Sequence, residues 1–159
     1  MNERRRAVPR RSPREGEPAR SAVRGRHSFS FPVCVYYEDT DAAGVVYYAN
    51  YLKFMERART EWLAALGFPL AAFEREHGVA FVVHRVEIDF IAPARLNDRL
   101  DVTVEPADRG ASRLVAAQEV RREATVLTRA RVALACIDTA RWKPARIPHP
   151  LLAALETAP

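Results

Sequence analysis

Tyr36–Leu66, YYEDTDAAGVVYYANYLKFMERARTEWLAAL, is the stretch whose reading decides the fold. A strand-like run, Phe31–Tyr37, leads into the polar cluster Glu38-Asp39-Thr40-Asp41. The small-residue turn Ala42-Ala43-Gly44 follows, and a long helical pattern starts near Tyr47 and runs to Leu66. Its apolar positions Tyr48, Tyr51, Leu52, Met55, Ala58, Trp62, Leu63 and Leu66 follow the helical period. Arg57 and Glu61 have the spacing of a helical ion pair. Gly67 suits the C-terminal stop, and Pro69 prevents continuation.

Outward from the helix, a short second helix is expected over residues 69–77, after which the period changes to two. Val82, His84, Val86, Ile88 and Phe90 alternate with Arg85, Glu87 and Asp89. That alternation places His84 on the apolar face, as a half-buried imidazole. Leu100, Val102 and Val104 form a second alternating run, and Leu114, Ala116, Gln118 and Val120 a third. Thr128, Ala130, Val132, Leu134 and Cys136 are the inner face of the last strand. Turns fall at Asp108-Arg109-Gly110 and Arg122-Glu123-Ala124, and a final helix at 148–155. One dominant apolar helix and several half-buried strands predict an α+β domain in which an antiparallel sheet of about five strands curls around the helix.

The 159 residues suffice for one domain, here 29–159, preceded by a basic tail, 1–28. The tail holds nine Arg against three Glu, whereas the rest of the chain is close to neutral, so the basic pI belongs to the tail. Its Pro, Arg, Glu and Ser with few apolar groups predict disorder. No aromatic residues interleave with its Arg, so a nucleic-acid partner is not expected. No apolar run is long enough for a transmembrane segment and no secretory leader is visible, which predicts a cytoplasmic protein. Cys34 and Cys136 read as buried free thiols. His27, His77 and His149 lack ligand spacing, so no metal and no cofactor are expected.

Asp41 sits just ahead of a helix N-terminus, where unpaired N–H groups gather positive potential. A carboxylate beside unused donors can attack an activated carbonyl, or activate water against it, while the amides around Val46, Tyr47 and Tyr48 hold the oxyanion. Gly44 lets backbone approach a substrate without a Cβ in the way. Asn50 is a candidate for holding the helix start, and Glu56 for facing a substrate tip or a partner subunit. Asp39 reads as a turn-stabilising side chain.

These residues resemble the catalytic signature of hotdog-fold acyl-CoA thioesterases, in the 4-hydroxybenzoyl-CoA thioesterase and Tol-Pal-associated groups. The resemblance spans residues 31 to about 148. It is carried by Tyr36-Tyr37-Glu38-Asp39-Thr40-Asp41, Gly44-Val45-Val46-Tyr47, Glu56-Arg57-Ala58-Arg59-Thr60-Glu61 and Ala92-Pro93-Ala94-Arg95-Leu96-Asn97-Asp98. It implies an acyl-CoA or aroyl-CoA substrate, a homodimer stacked into a homotetramer, and active sites at the subunit interface. It implies Asp41 as the catalytic carboxylate and the Tyr48 backbone N–H as the carbonyl-polarising donor. The chain departs from the Tol-Pal pattern at Tyr48, where His is usual, and at Ala43, where Gly is usual. Lys53, Arg57, Arg59, Arg85 and Arg95 are basic candidates for the CoA phosphates. Two other readings stay open: a thioesterase acting on acyl-carrier protein, and a non-catalytic thioester- or lipid-binding protein working with an envelope complex.

Overall fold

The computed structural model describes residues 29–157, so the reading of residues 1–28 as a disordered tail lies outside the described residues. The chain runs β1 (Phe29–Cys34), a single 3-10 turn (Tyr37–Asp39), α1 (Tyr48–Ala65), α2 (Leu70–His77) and β2 (Val79–Phe90). It continues with β3 (Arg99–Arg109), β4 (Arg113–Arg122), β5 (Thr125–Asp138), the two-residue β6 (Lys143–Pro144) and α3 (His149–Thr157). Every strand pairing is antiparallel, in the order β1-β3-β4-β5-β2, with β6 on the other side of β5. The expected curled sheet around one long helix is what forms.

α1 stops where its sequence says it should. The Gly67 N–H bonds back to the Ala64 carbonyl at 3.0 Å and the Phe68 N–H to the Leu63 carbonyl at 2.8 Å. Gly67 takes a φ of 94°, a left-handed conformation that costs glycine nothing. The buried stripe of α1 is Asn50, Tyr51, Phe54, Met55, Ala58, Trp62 and Leu63. It is rotated from the expected one: Phe54 is inside, while Tyr48 and Leu52 are exposed. Full burial of a side chain like Phe54 contributes roughly 2–3 kcal/mol. The stripe packs on Leu100, Val102 and Val104 of β3 and on Leu114, Ala116 and Val120 of β4.

Four local expectations are corrected. β1 ends at Cys34, because the chain must turn at Tyr36 to seat Asp39. His84 is exposed, not half-buried: the ladder between β2 and β5 shifts between Val83 and Arg85, and His84 is the extra residue at this bulge. Val83 pairs with Leu134 before the bulge and Val86 with Val132 after it, so the inward face changes parity there. The proposed Arg57–Glu61 pair does not form among the described residues. On that face the Glu56 carboxylate accepts from the Thr60 hydroxyl at 2.9 Å instead. Both thiols are free, but only Cys136 is fully buried, and burial pushes its pKa up.

Candidate active site at the start of the central helix

Between β1 and α1 the chain makes a tight loop with its own ladder. Bridges join Thr40 to Val46 and Val45 to Arg95. The Asp41 N–H donates to the Val45 carbonyl and the Gly44 N–H to the Asp41 carbonyl, both at 2.9 Å. Gly44 takes a φ of 73°, so its role in this chain begins with the turn itself. Oδ1 of Asp41 accepts the Ala43 N–H at 2.8 Å. That bond orients an exposed carboxylate and leaves Oδ2 without a partner among the described residues.

The preceding acid has a different task. Asp39 is buried, and its Oδ2 accepts the Tyr36 N–H at 2.9 Å, so it stabilises the turn as expected. Its backbone carbonyl accepts twice, from the Tyr47 N–H at 2.9 Å and from Nδ2 of buried Asn50 at 3.0 Å. Asn50 therefore ties the first turn of α1 to the loop that carries Asp41.

The amides that the sequence groups together around Val46–Tyr48 separate in the structure. The Val46 N–H donates to the Ala94 carbonyl at 2.9 Å and the Tyr47 N–H to the Asp39 carbonyl. The Tyr48 N–H has no acceptor among the described residues, and no side chain caps this end of α1. An uncapped helix start forgoes about 1 kcal/mol. The donor it leaves open points out of the positive end of an 18-residue helix, seven residues after Asp41.

The residue that carries this open amide belongs to an aromatic cluster. Tyr48 is 60% exposed; its ring lies 4.7 Å from that of Tyr47 and 6.3 Å, edge-on, from that of Phe90. Tyr51 lies beneath, 5.6 Å from Phe90, and its hydroxyl accepts the Ala94 N–H at 2.9 Å. Burial raises the Tyr51 phenol. Phe90 and Ile91 are both exposed, and sequence reasoning missed them as site neighbours because β2 is remote along the chain. The apolar pair Phe90-Ile91 at the end of a strand pattern was the available signal.

The other expected residues do not converge here. Glu56 is two turns along α1, about 12 Å of rise away, and is held by Thr60. Arg59 is turned into the protein, donating to Oε1 of buried Gln118 at 2.7 Å, and burial lowers its pKa. Gln118 in turn donates to the Met55 carbonyl at 3.0 Å. Arg85 pairs with Glu87, whereas Lys53, Arg57 and Arg95 are exposed. Among the described residues no three of His, Cys, Asp and Glu converge as metal ligands, and no helix is long and apolar enough to cross a membrane. A groove of about 530 Å³ lies on the outer face of the sheet, lined by Glu87, Thr103, Glu119 and Arg129 among others, and includes neither Asp41 nor Tyr48.

A sequence model of the Thioesterase-like superfamily matches residues 35–155, which contain the whole loop, α1 and the sheet core. The chain belongs to this superfamily. It is similar to the acyl-CoA thioesterase YbgC of Haemophilus influenzae, 44% identical over 128 residues, covering 80% of this chain and 94% of that protein. A 1,4-dihydroxy-2-naphthoyl-CoA hydrolase of Thermosynechococcus vestitus is 36% identical over 130 residues, covering 79% and 86%. Among solved structures, the 1,4-dihydroxy-2-naphthoyl-CoA thioesterase Slr0204 of Synechocystis superposes with a TM-score of 0.75 at 31% identity, covering 82% of this chain and 96% of the other. The thioesterase-like superfamily and the hotdog architecture are thus common to this chain and its relatives.

Proposed function

We propose that this chain hydrolyses acyl-CoA thioesters, with the Asp41 carboxylate as nucleophile or general base and the Tyr48 backbone N–H polarising the carbonyl. The observation that carries the reading is the pairing of an unused helix-terminal amide with a carboxylate that has one oxygen free. A thioester carbonyl is already electrophilic, so one good donor at the developing oxyanion removes several kcal/mol, roughly 3, of its barrier. As nucleophile, Asp41 would expel the CoA thiolate and form a mixed anhydride that water then cleaves. As base, it would take a proton from the attacking water. The relatives act on acyl-CoA or aroyl-CoA esters, which supports the substrate class.

The site of one chain is an open surface, and we read it as completed by a second copy in a homodimer with interface sites, itself stacked into a tetramer. β2 is an edge of the sheet, 12 residues long, and Val83, Phe90 and Ile91 are exposed along it or just beyond its end. A long apolar edge left unpaired is an aggregation hazard, and antiparallel pairing with a second copy removes it. That pairing would cover the exposed rings of Phe90 and Tyr48.

Thiol release from a panel of acyl- and aroyl-CoA esters tests the assignment. Asp41→Asn is expected to lower kcat by at least about a hundredfold, with the oligomer and its thermal unfolding intact, because the side chain is exposed. Tyr48→Phe is expected to retain most activity, because the acting donor is the main chain. Equal rates for wild type and Asp41→Asn would end the assignment.

A further inference from the structure

The turn between β5 and β6 carries a feature that the active-site reading does not use. The Asp138 side chain accepts the Ala140 N–H at 3.0 Å and the Arg141 N–H at 2.8 Å, and its carbonyl accepts the Trp142 N–H at 2.8 Å. Lys143 then pairs with Asp138 across the ladder. Within this rigid turn Trp142 adopts a φ of 53°, a left-handed conformation that Gly or Asn takes readily and an aromatic residue rarely does. The indole is nonetheless there, and 75% exposed.

Cations flank it along the chain. Arg141, Lys143 and Arg146 are exposed, and none forms an ion pair among the described residues. Asp138 is engaged by amides, and the acids of the neighbouring element, Glu74 and Glu76, lie on α2. An exposed aromatic plane beside unpaired cations is the chemistry that takes a purine base and its phosphates.

The topology says which purine. The turn extends the end of the sheet where Val79 pairs with Asp138, whereas Asp41 and Tyr48 lie at the opposite end, beside Phe90. β2 spans the distance between them, about 40 Å at 3.4 Å per residue. When two copies join antiparallel through β2, the Val79 end of one lies beside the Phe90 end of the other. With full overlap of the two β2 strands, each copy's Trp142 turn would lie at the end of the pair where the other's open amide is, one strand in from the seam.

We propose that the Arg141-Trp142-Lys143 turn of one subunit binds the adenine and phosphates of the CoA whose acyl end occupies the partner's site. The indole stacks on the adenine, and Arg141 and Lys143 face the phosphates. This rests on the hydrolase and dimer readings above and adds to them a nucleotide subsite made in trans.

The chain has two tryptophans, and Trp62 is only 4% exposed, so quenching by a base stacked at the surface reports on Trp142 and not on Trp62. Titrating the full-length protein with CoA is expected to give saturable quenching that pantetheine does not reproduce and that Trp142→Asn abolishes. The same variant should raise KM for an acyl-CoA about tenfold while leaving kcat unchanged. It should leave the kinetics of the N-acetylcysteamine ester of the same acyl group, which lacks the nucleotide, unaltered. Trp142→Asn fits the left-handed turn, so its melting temperature should not fall; a fall would mark the indole as a packing element and overturn the proposal. No CoA quenching, equal quenching by pantetheine, or an equal KM rise for the truncated ester would also overturn it. Quenching is read without turnover: specific quenching by CoA in a protein that hydrolyses no ester would refute the hydrolase and leave the nucleotide subsite standing.

Discussion

Replacing Asn50 tests whether the loop and the helix start act as one unit. Nδ2 of Asn50, 6% exposed, donates to the Asp39 carbonyl at 3.0 Å. That carbonyl also accepts the Tyr47 N–H, so Asn50→Ala removes one bond without orphaning a buried acceptor. The loss is then the net value of a hydrogen bond, about 1 kcal/mol. A small cavity adds to the loss, and the better helix propensity of Ala offsets it by roughly 0.5 kcal/mol. Asn50→Asp has the same shape but aims a carboxylate at a carbonyl oxygen, so acceptor meets acceptor in a buried place. Its cost is larger, about 2–4 kcal/mol, even after the favourable helix-terminus term. Urea unfolding at neutral pH is expected to rank wild type above Asn50→Ala above Asn50→Asp, with Asn50→Ala lowering Tm by about 4 °C. Thiol-release kinetics well below Tm should show a fall in kcat/KM of about tenfold for Asn50→Ala, because loosening the tie misplaces Asp41 relative to the Tyr48 amide. Equal stability of the two variants would refute the hydrogen-bond argument. Wild-type kinetics in Asn50→Ala would refute the claim that this tie sets the site geometry.

Gly44→Ala meets no atom within 4 Å of the new Cβ, so its cost is backbone strain at φ 73° alone, about 1–2 kcal/mol, and Gly44→Asn should cost less. Thermal unfolding of the pair checks this, and equal losses would contradict it. Burial by itself would raise the Glu119 carboxyl, but hydrogen bonds from Arg129, at 2.9 Å, and Arg121 outweigh it and hold the pKa below the ordinary value. A depressed acid stabilises the fold above its unfolded pKa, about 4.3. This stabilisation is lost as pH falls through the lower, folded value. Glu119→Gln should therefore be less stable than wild type at neutral pH, by less than about 1 kcal/mol because the pairs are partly solvated. The gap should close on acidification, and a gap that widened toward low pH would overturn the assignment.

Much of this architecture is legible along the chain. The apolar spacing from Tyr51 to Leu63, with Gly67 and Pro69 beyond it, states a helix and its end, because both signals are local. Alternation over Leu100–Val104, Leu114–Val120 and Thr128–Cys136 names the inward faces correctly, since a strand's period leaves no other choice. Alternation fails at His84, where a bulge inserts one residue and nothing in the sequence marks it.

Asp41 and the approach to the helix start are also readable in sequence, as residue types in an order that suits acyl transfer. Which amide stays open is not. Val46 and Tyr47 lose theirs to the Ala94 and Asp39 carbonyls, and only the folded loop brings those acceptors into reach. Strand order is equally non-local: β1 pairs with β3 and β2 crosses to β5, so β2 is left as a free edge. By itself the sequence determined the elements, the buried faces of β3, β4 and β5 and the chemistry on offer, because those follow from period and residue type. The tertiary structure decided which donors remain unspent, which arginine turns inward and which edge is exposed, because each depends on partners that only folding brings close.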